Sequence, residues 1–300
     1  MNKSSNLFII IFLGLIWSTF AIFTKISAEV LPPFFIAFSR LAIGALLLCT
    51  VILLQRKKFL FVKNFKFYFA VGFFNSALPF TLFAIAAKSL DSGIIAILDG
   101  TIPMFEVLIC VLILRRKADL NAAIGVILGM LGVIVTSYGN GPSLDLSPIH
   151  IISILTILCA CISYAGSSLY INSHCQNIES ITLACGSVTC AALLLLPSIF
   201  FVDFSVIDSH VGMSLFGLGF LCTGIAYILY FKLAAEEGSR TAVSVVLLIP
   251  FFGTLIGVFF AGETLTINKI IGCLMILTSM KFILNLSRKN FFKSREAHIL

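Results

Sequence analysis

Two carboxylates stand where a chain of this kind can least tolerate them. Asp99 and Glu106 lie seven residues apart in the run Ser92–Leu114, which is otherwise almost wholly apolar. An ionised group at the centre of a bilayer costs about 2.5–3.5 kcal/mol on insertion scales, so each one needs a chemical reason. Seven residues is close to two helical turns, which puts both acids on about the same face. Carboxylates placed this way can hold a proton, a cation or the ammonium group of a substrate. Pro103 lies between them. Having no N–H, it frees the Asp99 carbonyl and adds an acceptor at the same spot, beside Thr101. The bland reading pairs these acids with Arg40 or Lys25 to neutralise charge inside a helical bundle. A pair that opens on binding would serve both purposes.

Other residues join the candidate set by type and position. Arg40 is a lone cation in an apolar run, and Trp17, followed by Ser18, is the only tryptophan of the chain. Asn75 and Ser76 precede Pro79, marking a second irregular polar spot in mid-helix. Tyr227, Tyr230 and Lys232 follow one another along a single span and are candidates to line a pathway. Pro103 and Pro250 are helix-break candidates, and Glu263 is a candidate for a helix-end or gating contact. Nine cysteines lie in or beside apolar runs without a zinc spacing, so they read as small packing residues and no metal is expected. His150, His174, His210 and His298 are scattered, and neither a nucleophile motif nor a nucleotide-binding loop is present, so enzyme chemistry and a cofactor are not expected.

The elements that must carry these groups are membrane helices. Of 300 residues 60% are hydrophobic and 11% charged, with a mean hydropathy of +1.12. A soluble domain carries roughly 25% charged residues. A helix needs roughly 20 apolar residues to cross a bilayer. Ten such runs are predicted: Leu7–Ala28, Pro33–Leu54, Phe65–Lys88, Ser92–Leu114, Asn121–Tyr138, His150–Asn172, Ser180–Val202, Val211–Ala235, Thr241–Ala261 and Thr266–Leu286. The formal charge of +7 is no sign of nucleic acid, because the cations cluster at helix ends. Arg56, Lys57, Lys58, Lys63 and Lys66 follow the second run, Arg115, Arg116 and Lys117 the fourth, and Arg288, Lys289, Lys293 and Arg295 the tenth. If ten helices alternate, all three clusters share one face, which the positive-inside rule makes cytoplasmic. Both termini are then expected inside. Glu236 and Glu237, in a loop expected on the same face, run mildly against this.

The chain also reads as one unit written twice. Pro103 falls on Pro250 at an offset of 147 (250 − 103), and the same offset places Gly72 on Gly219, Gly125 on Gly272, Trp17 on Tyr164 and Phe73 on Phe220. An odd number of crossings per copy inverts the second, a construction found in secondary transporters. The charges flip as an inverted copy requires: Val202–Met213, counterpart of the basic Gln55–Lys66 loop, holds Asp203 and Asp208 and no Lys or Arg, and Arg116 falls on Glu263. The expected architecture is therefore all-α, with two inverted five-helix repeats (1–140 and 148–287) and a basic cytoplasmic tail (288–300). Asp99 and Glu106 fall on Val246 and Gly253, so the acids belong to one half only.

Several motifs resemble the EamA-like family of the drug/metabolite transporter superfamily. They are the small-residue turn Ala234–Ala242 leading to Pro250, then Gly262-Glu263-Thr264-Leu265-Thr266 and Gly272, with Leu90-Asp91-Ser92-Gly93, Pro103 and Gly125 as the same frame in the first half. Trp17-Ser18 with Lys25, and Arg40, also look like family positions. Where the first half would carry its own Gly-Glu it has Arg115-Arg116, which argues against a symmetrical role for Glu263. The resemblance implies a permease moving a small organic metabolite by alternating access, an amino acid or related compound by default, in a bacterial cytoplasmic membrane. The rival is uptake or exchange of a cationic or zwitterionic nutrient such as S-adenosylmethionine; a non-transporting scaffold is the alternative of another class. Expected partners are the small-molecule substrate, coupled protons and the lipid bilayer.

Overall fold

The computed structural model describes residues 3–115, 120–137, 147–237 and 245–287. Arg116, Lys117, the Gly238–Ala242 part of the turn and the tail from Arg288 lie outside the described residues. The described chain is helical: α1 (Phe8–Ala28), α2 (Pro33–Leu54), α3 (Phe61–Ala86), α4 (Ser92–Leu112), α5 (Leu120–Thr136), α6 (Pro148–His174), α7 (Ser180–Phe201), α8 (Ser209–Ala234), α9 (Val245–Ala261) and α10 (Ile267–Ser287). Seven of these, all but α5, α9 and α10, are long and apolar enough by length and composition to cross a membrane, and α5 and α9 are shorter apolar helices.

The surface is dressed for lipid. Leu53, Leu54, Phe200, Phe201, Phe259 and Phe260 are all exposed large apolar side chains, a coat that no soluble protein presents to water over such an area. Charge also reaches the interior, where Arg40, Asp99 and Lys269 are buried. The acidic Asp203–Asp208 loop works locally. Asp208 accepts the Val211 amide at 2.8 Å and caps α8, while the Ser205 hydroxyl and amide both donate to Asp203 and hold its carboxyl below the usual range.

Irregular backbone falls at matched positions in the two halves. In α3, Phe73–Ala77 forms a π-helix. In α8 the π-helix is Gly217–Ile225, which contains the positions 147 residues on from the first. Pro79 cannot donate to the turn before it, and the Ser163 hydroxyl donates to the Phe74 carbonyl at 2.6 Å. In α8 the Thr223 hydroxyl serves its own helix, donating to the Leu218 carbonyl five residues back at 3.1 Å.

The halves meet through contacts made twice with the partners exchanged. A Cβ on Gly72 would come closer than 3.0 Å to the Ser187 carbonyl oxygen, and one on Gly219 would lie 3.0 Å from the Arg40 carbonyl oxygen; Arg40 and Ser187 are themselves 147 apart. Gly125 packs on Ser279 and Ile283 of α10, while Gly272 packs on Gly132 and Thr136 of α5, the same contact reversed. Trp17 and Tyr230 lie 5.4 Å apart between ring centroids, and their equivalents Tyr164 and Phe83 lie 6.2 Å apart. Glycine at these crossings lets backbones approach. Because the obstacle at Gly72 is backbone, Gly72→Ala should destabilise by about 1–3 kcal/mol. A lower melting temperature in detergent would show it.

Candidate functional site

The first candidate site begins at the break in α4. Its helix stops at Asp99, and Gly100 and Thr101 donate only three residues back, to Ile97 at 3.1 Å and Leu98 at 2.9 Å. A new helical segment starts at Ile102 with Pro103 in its first turn, where a missing N–H leaves no bond unmade. α9 does the same: the 3-10 turn Val245–Leu247 precedes a helix that starts at Leu248 and holds Pro250 in its first turn. The prolines therefore sit just after each break and begin the next helix.

The break delivers one acid from each segment to α6. Asp99 is buried; Arg40 is the charge near enough to act on it. Tyr164 of α6 lies in the field of Asp99, Arg40, Tyr227 and Cys161. Glu106 is half-buried, with Ser168, one α6 turn beyond Tyr164, as its hydrogen-bonding neighbour. Tyr230 lies close enough to feel both Glu106 and Tyr227. Trp17 completes the group, donating from Nε1 to the Cys222 carbonyl at 3.2 Å and packing on Tyr230.

Arg40 is held from two sides. Its guanidinium carbon lies 3.6 Å from the centroid of the Phe80 ring and 5.9 Å from that of Phe20, and its Nε donates to Thr223 Oγ1 at 3.0 Å. Stacking covers one face of the planar cation and the Nε bond fixes its rotation. No ion pair within 4.0 Å joins Arg40 to Asp99 among the described residues. Base and acid stand in one cluster of buried side chains without closing on each other.

The structure thus gathers Asp99, Glu106, Arg40, Trp17, Tyr227 and Tyr230. Asn75 is half-buried in the π-helix of α3. Lys232 is exposed and stands outside this group; two residues beyond Tyr230 is about 200° of helical rotation, the opposite face. Sequence reasoning missed Tyr164, Ser168, Phe80 and Thr223. The signal for two of them lay in the repeat, since Tyr164 is the equivalent of Trp17 and Thr223 that of Ser76.

A second constellation lies at one end of the helices. Gly262 ends α9 with a φ of +63°, the left-handed conformation that glycine adopts without strain. The chain turns, the Glu263 amide donates to the Gly257 carbonyl at 3.1 Å, and the Glu263 carboxylate meets the first turn of α4. It accepts from the Ser92 amide at 2.5 Å, the Ser92 hydroxyl at 2.6 Å and the Gly93 amide at 2.9 Å. Gly93 and Gly257 leave the room for it. Asp91, at the N-cap position of α4, makes no side-chain cap. It pairs with Lys269 at 2.7 Å and lies 4.0 Å from Lys25, which donates to the Leu90 carbonyl at 2.8 Å. Lys269 is 1% exposed and also donates to the Thr264 carbonyl at 3.0 Å.

A helical chain with seven apolar spans among its described residues, an exposed apolar surface and halves that repeat their contacts is an integral, multi-pass membrane protein. Residues 4–138 and 151–285 each match the EamA-like transporter family, and the chain belongs to that family. It is 25% identical over 284 residues to the uncharacterized transporter YvbV of Bacillus subtilis, covering 93% of this chain and 92% of that one. It is 24% identical to the uncharacterized transporter YoaV of the same organism, covering 89% and 92%. Protein PagO of Salmonella typhimurium is 23% identical over 278 residues, 90% of each chain. A crystal structure with a TM-score of 0.64 and 17% identity covers 96% of this chain and 99% of its own, which shows a shared fold.

Proposed function

We propose that this protein is a secondary transporter that carries a small organic metabolite bearing a positive charge, an amino acid or a related compound, by alternating access. On this reading ten helices cross a bacterial cytoplasmic membrane as two inverted halves, both termini face the cytoplasm, and the Glu263 end faces outward. The observation that carries it is the chamber where the halves meet: Arg40 and Asp99 are both buried and share it without an ion pair, with Glu106 and three aromatic residues around them. A closed pair would be a structural brace, whereas separated partners leave a carboxylate and a guanidinium each able to take a substrate group. Two acids against one base favour a substrate with an excess of positive charge, which keeps S-adenosylmethionine in the panel beside amino acids.

The test is uptake and efflux in reconstituted vesicles with amino acids, nucleosides and S-adenosylmethionine, with and without a pH gradient. At least one charged probe should move, and Asp99→Asn and Glu106→Gln should each slow it by about tenfold or more, the loss of one hydrogen bond to a charged group. Unchanged rates in both variants would remove the acids from the site. Stimulation by a pH gradient that disappears in one variant would assign proton coupling to that carboxylate.

A further inference from the structure

The residues that cradle Arg40 have sequence counterparts in the other half. Arg40 sits between the rings of Phe80 and Phe20 and the Thr223 hydroxyl. At the 147-residue offset these four positions are Ser187, Tyr227, Ser167 and Ser76. The counterpart thus keeps an aromatic ring at Tyr227 and a hydroxyl at Ser76, gains a second hydroxyl at Ser167, and has a short side chain where the first cradle has its cation. The contacts around it obey the exchange already described, since the Gly72–Ser187 approach is the Gly219–Arg40 approach reversed.

Two of these hydroxyls are buried without a hydrogen-bond partner. Many buried hydroxyls in this chain donate to the carbonyl four residues back, as Ser18, Thr24, Thr81 and Thr254 do at 2.6–2.7 Å, while Ser27 and Ser198 are left without a partner. Ser76 and Ser167, 1% and 3% exposed, do not, and neither Oγ has a partner at hydrogen-bond geometry. The Tyr227 hydroxyl is the neighbour of Ser76. A buried hydroxyl left unmade costs about 1–3 kcal/mol, so two at matched positions call for an explanation. A nitrogen cation would satisfy both oxygens and stack on the Tyr227 ring as Arg40 stacks on Phe80.

We propose that Ser76, Ser167 and Tyr227 form the subsite for the cationic head of the substrate, a guanidinium or primary ammonium group, with Ser187 keeping the cradle free of a cation of its own. This rests on the transporter reading above and gives a residue-level account of its charge preference. The substrate would supply to the second half the charge that Arg40 supplies to the first.

Trp17, the sole tryptophan, packs on Tyr230 next to this group and reports binding without transport. The purified full chain is titrated with arginine, lysine and the uncharged arginine isostere citrulline, following Trp17 fluorescence, and counterflow of the same probes is measured in vesicles. Arginine and lysine should bind at least tenfold more tightly than citrulline. Ser76→Ala and Ser167→Ala should each weaken arginine about tenfold. Ser187→Arg, which installs an internal guanidinium, should abolish arginine binding. Melting temperatures establish that each variant is folded. The proposal is overturned if citrulline binds as tightly as arginine, if the two alanine variants bind arginine like the parent, or if neither cation binds. Should the cations fail while a neutral or anionic probe is transported, the subsite falls and the transporter reading stands; if no probe of the wider panel moves, the transporter reading falls with it.

Discussion

Arg40→Ala should reduce counterflow to about 1% of the parent or less, the largest loss expected from any single change in the chamber. The residue is buried, stacked on Phe80 and bonded to Thr223, and its removal leaves Asp99 buried without the nearby charge that acts on it. Losing a hydrogen bond made by a charged donor, about 1.5–3 kcal/mol, together with desolvated ring stacking, about 2 kcal/mol, corresponds to more than about 10²-fold at 1.4 kcal/mol per decade. Arg40→Lys should keep about a tenth of the activity, because a lysine keeps the charge but cannot stack a planar cation and donate from Nε together. The double variant Arg40→Ala/Asp99→Asn separates binding from folding. It should recover much of the lost thermal stability, since the orphaned carboxylate is gone, and none of the transport. Restored transport in the double variant would make the two residues a structural pair only.

Glu263→Ala should raise amide hydrogen exchange at Ser92 and Gly93 by about 100-fold while leaving the α5–α10 contact at Gly125 and Gly272 unchanged. Three donors converge on this one carboxylate, and hydrogen bonds to a charged group contribute about 1.5–3 kcal/mol each when buried. The negative charge also faces the positive end of the α4 helix. Glu263→Gln should fall between the two, keeping an acceptor for one amide and losing the charge. Since Glu263 and Lys269 come from the second half and Ser92 and Asp91 from the first, this contact must part if the halves separate at that end. Its equivalents are Arg116, Ala122, Ser239 and Gly238, a set that holds no carboxylate, so the same contact cannot form at the opposite end. A Glu263→Ala protein with unchanged exchange at Ser92 and Gly93 would show that the carboxylate does not hold the first turn of α4.

Much of this was legible in the sequence because charge is conspicuous in an apolar chain. Asp99, Glu106 and Arg40 could be picked out by type alone; Trp17, Tyr227 and Tyr230 could be named only as pathway-lining candidates, since they lie in the first and eighth runs and nothing in the sequence sets them beside the acids of the fourth. The Gly-Glu pair pointed to a helix end, and the glycine's left-handed turn is what aims the acid. The hydroxyl groups were harder to read. Ser76 stood out only as part of an irregular polar spot before Pro79, and Thr223 not at all; the structure sets Thr223 against Arg40 and leaves the Ser76 hydroxyl without a partner at hydrogen-bond geometry. Lys269 resembled the usual polar start of a span, yet it is buried by its contact with Asp91, 178 residues away. Lys232 misled because nearness in sequence to two tyrosines says nothing of helix face.

The matched π-helices carry a historical consequence. A π-helical turn holds one residue more than the α-helix around it, so acquiring one requires an insertion in the gene. The offset of 147 runs through Gly72/Gly219 and on to Pro103/Pro250 without a gap, passing both π-helices. The extra residue thus stands in both copies alike, as it would if it preceded their duplication: in α8 the π-helix holds Thr223, which meets Arg40, and in α3 it holds Ser76, whose hydroxyl has no partner at hydrogen-bond geometry.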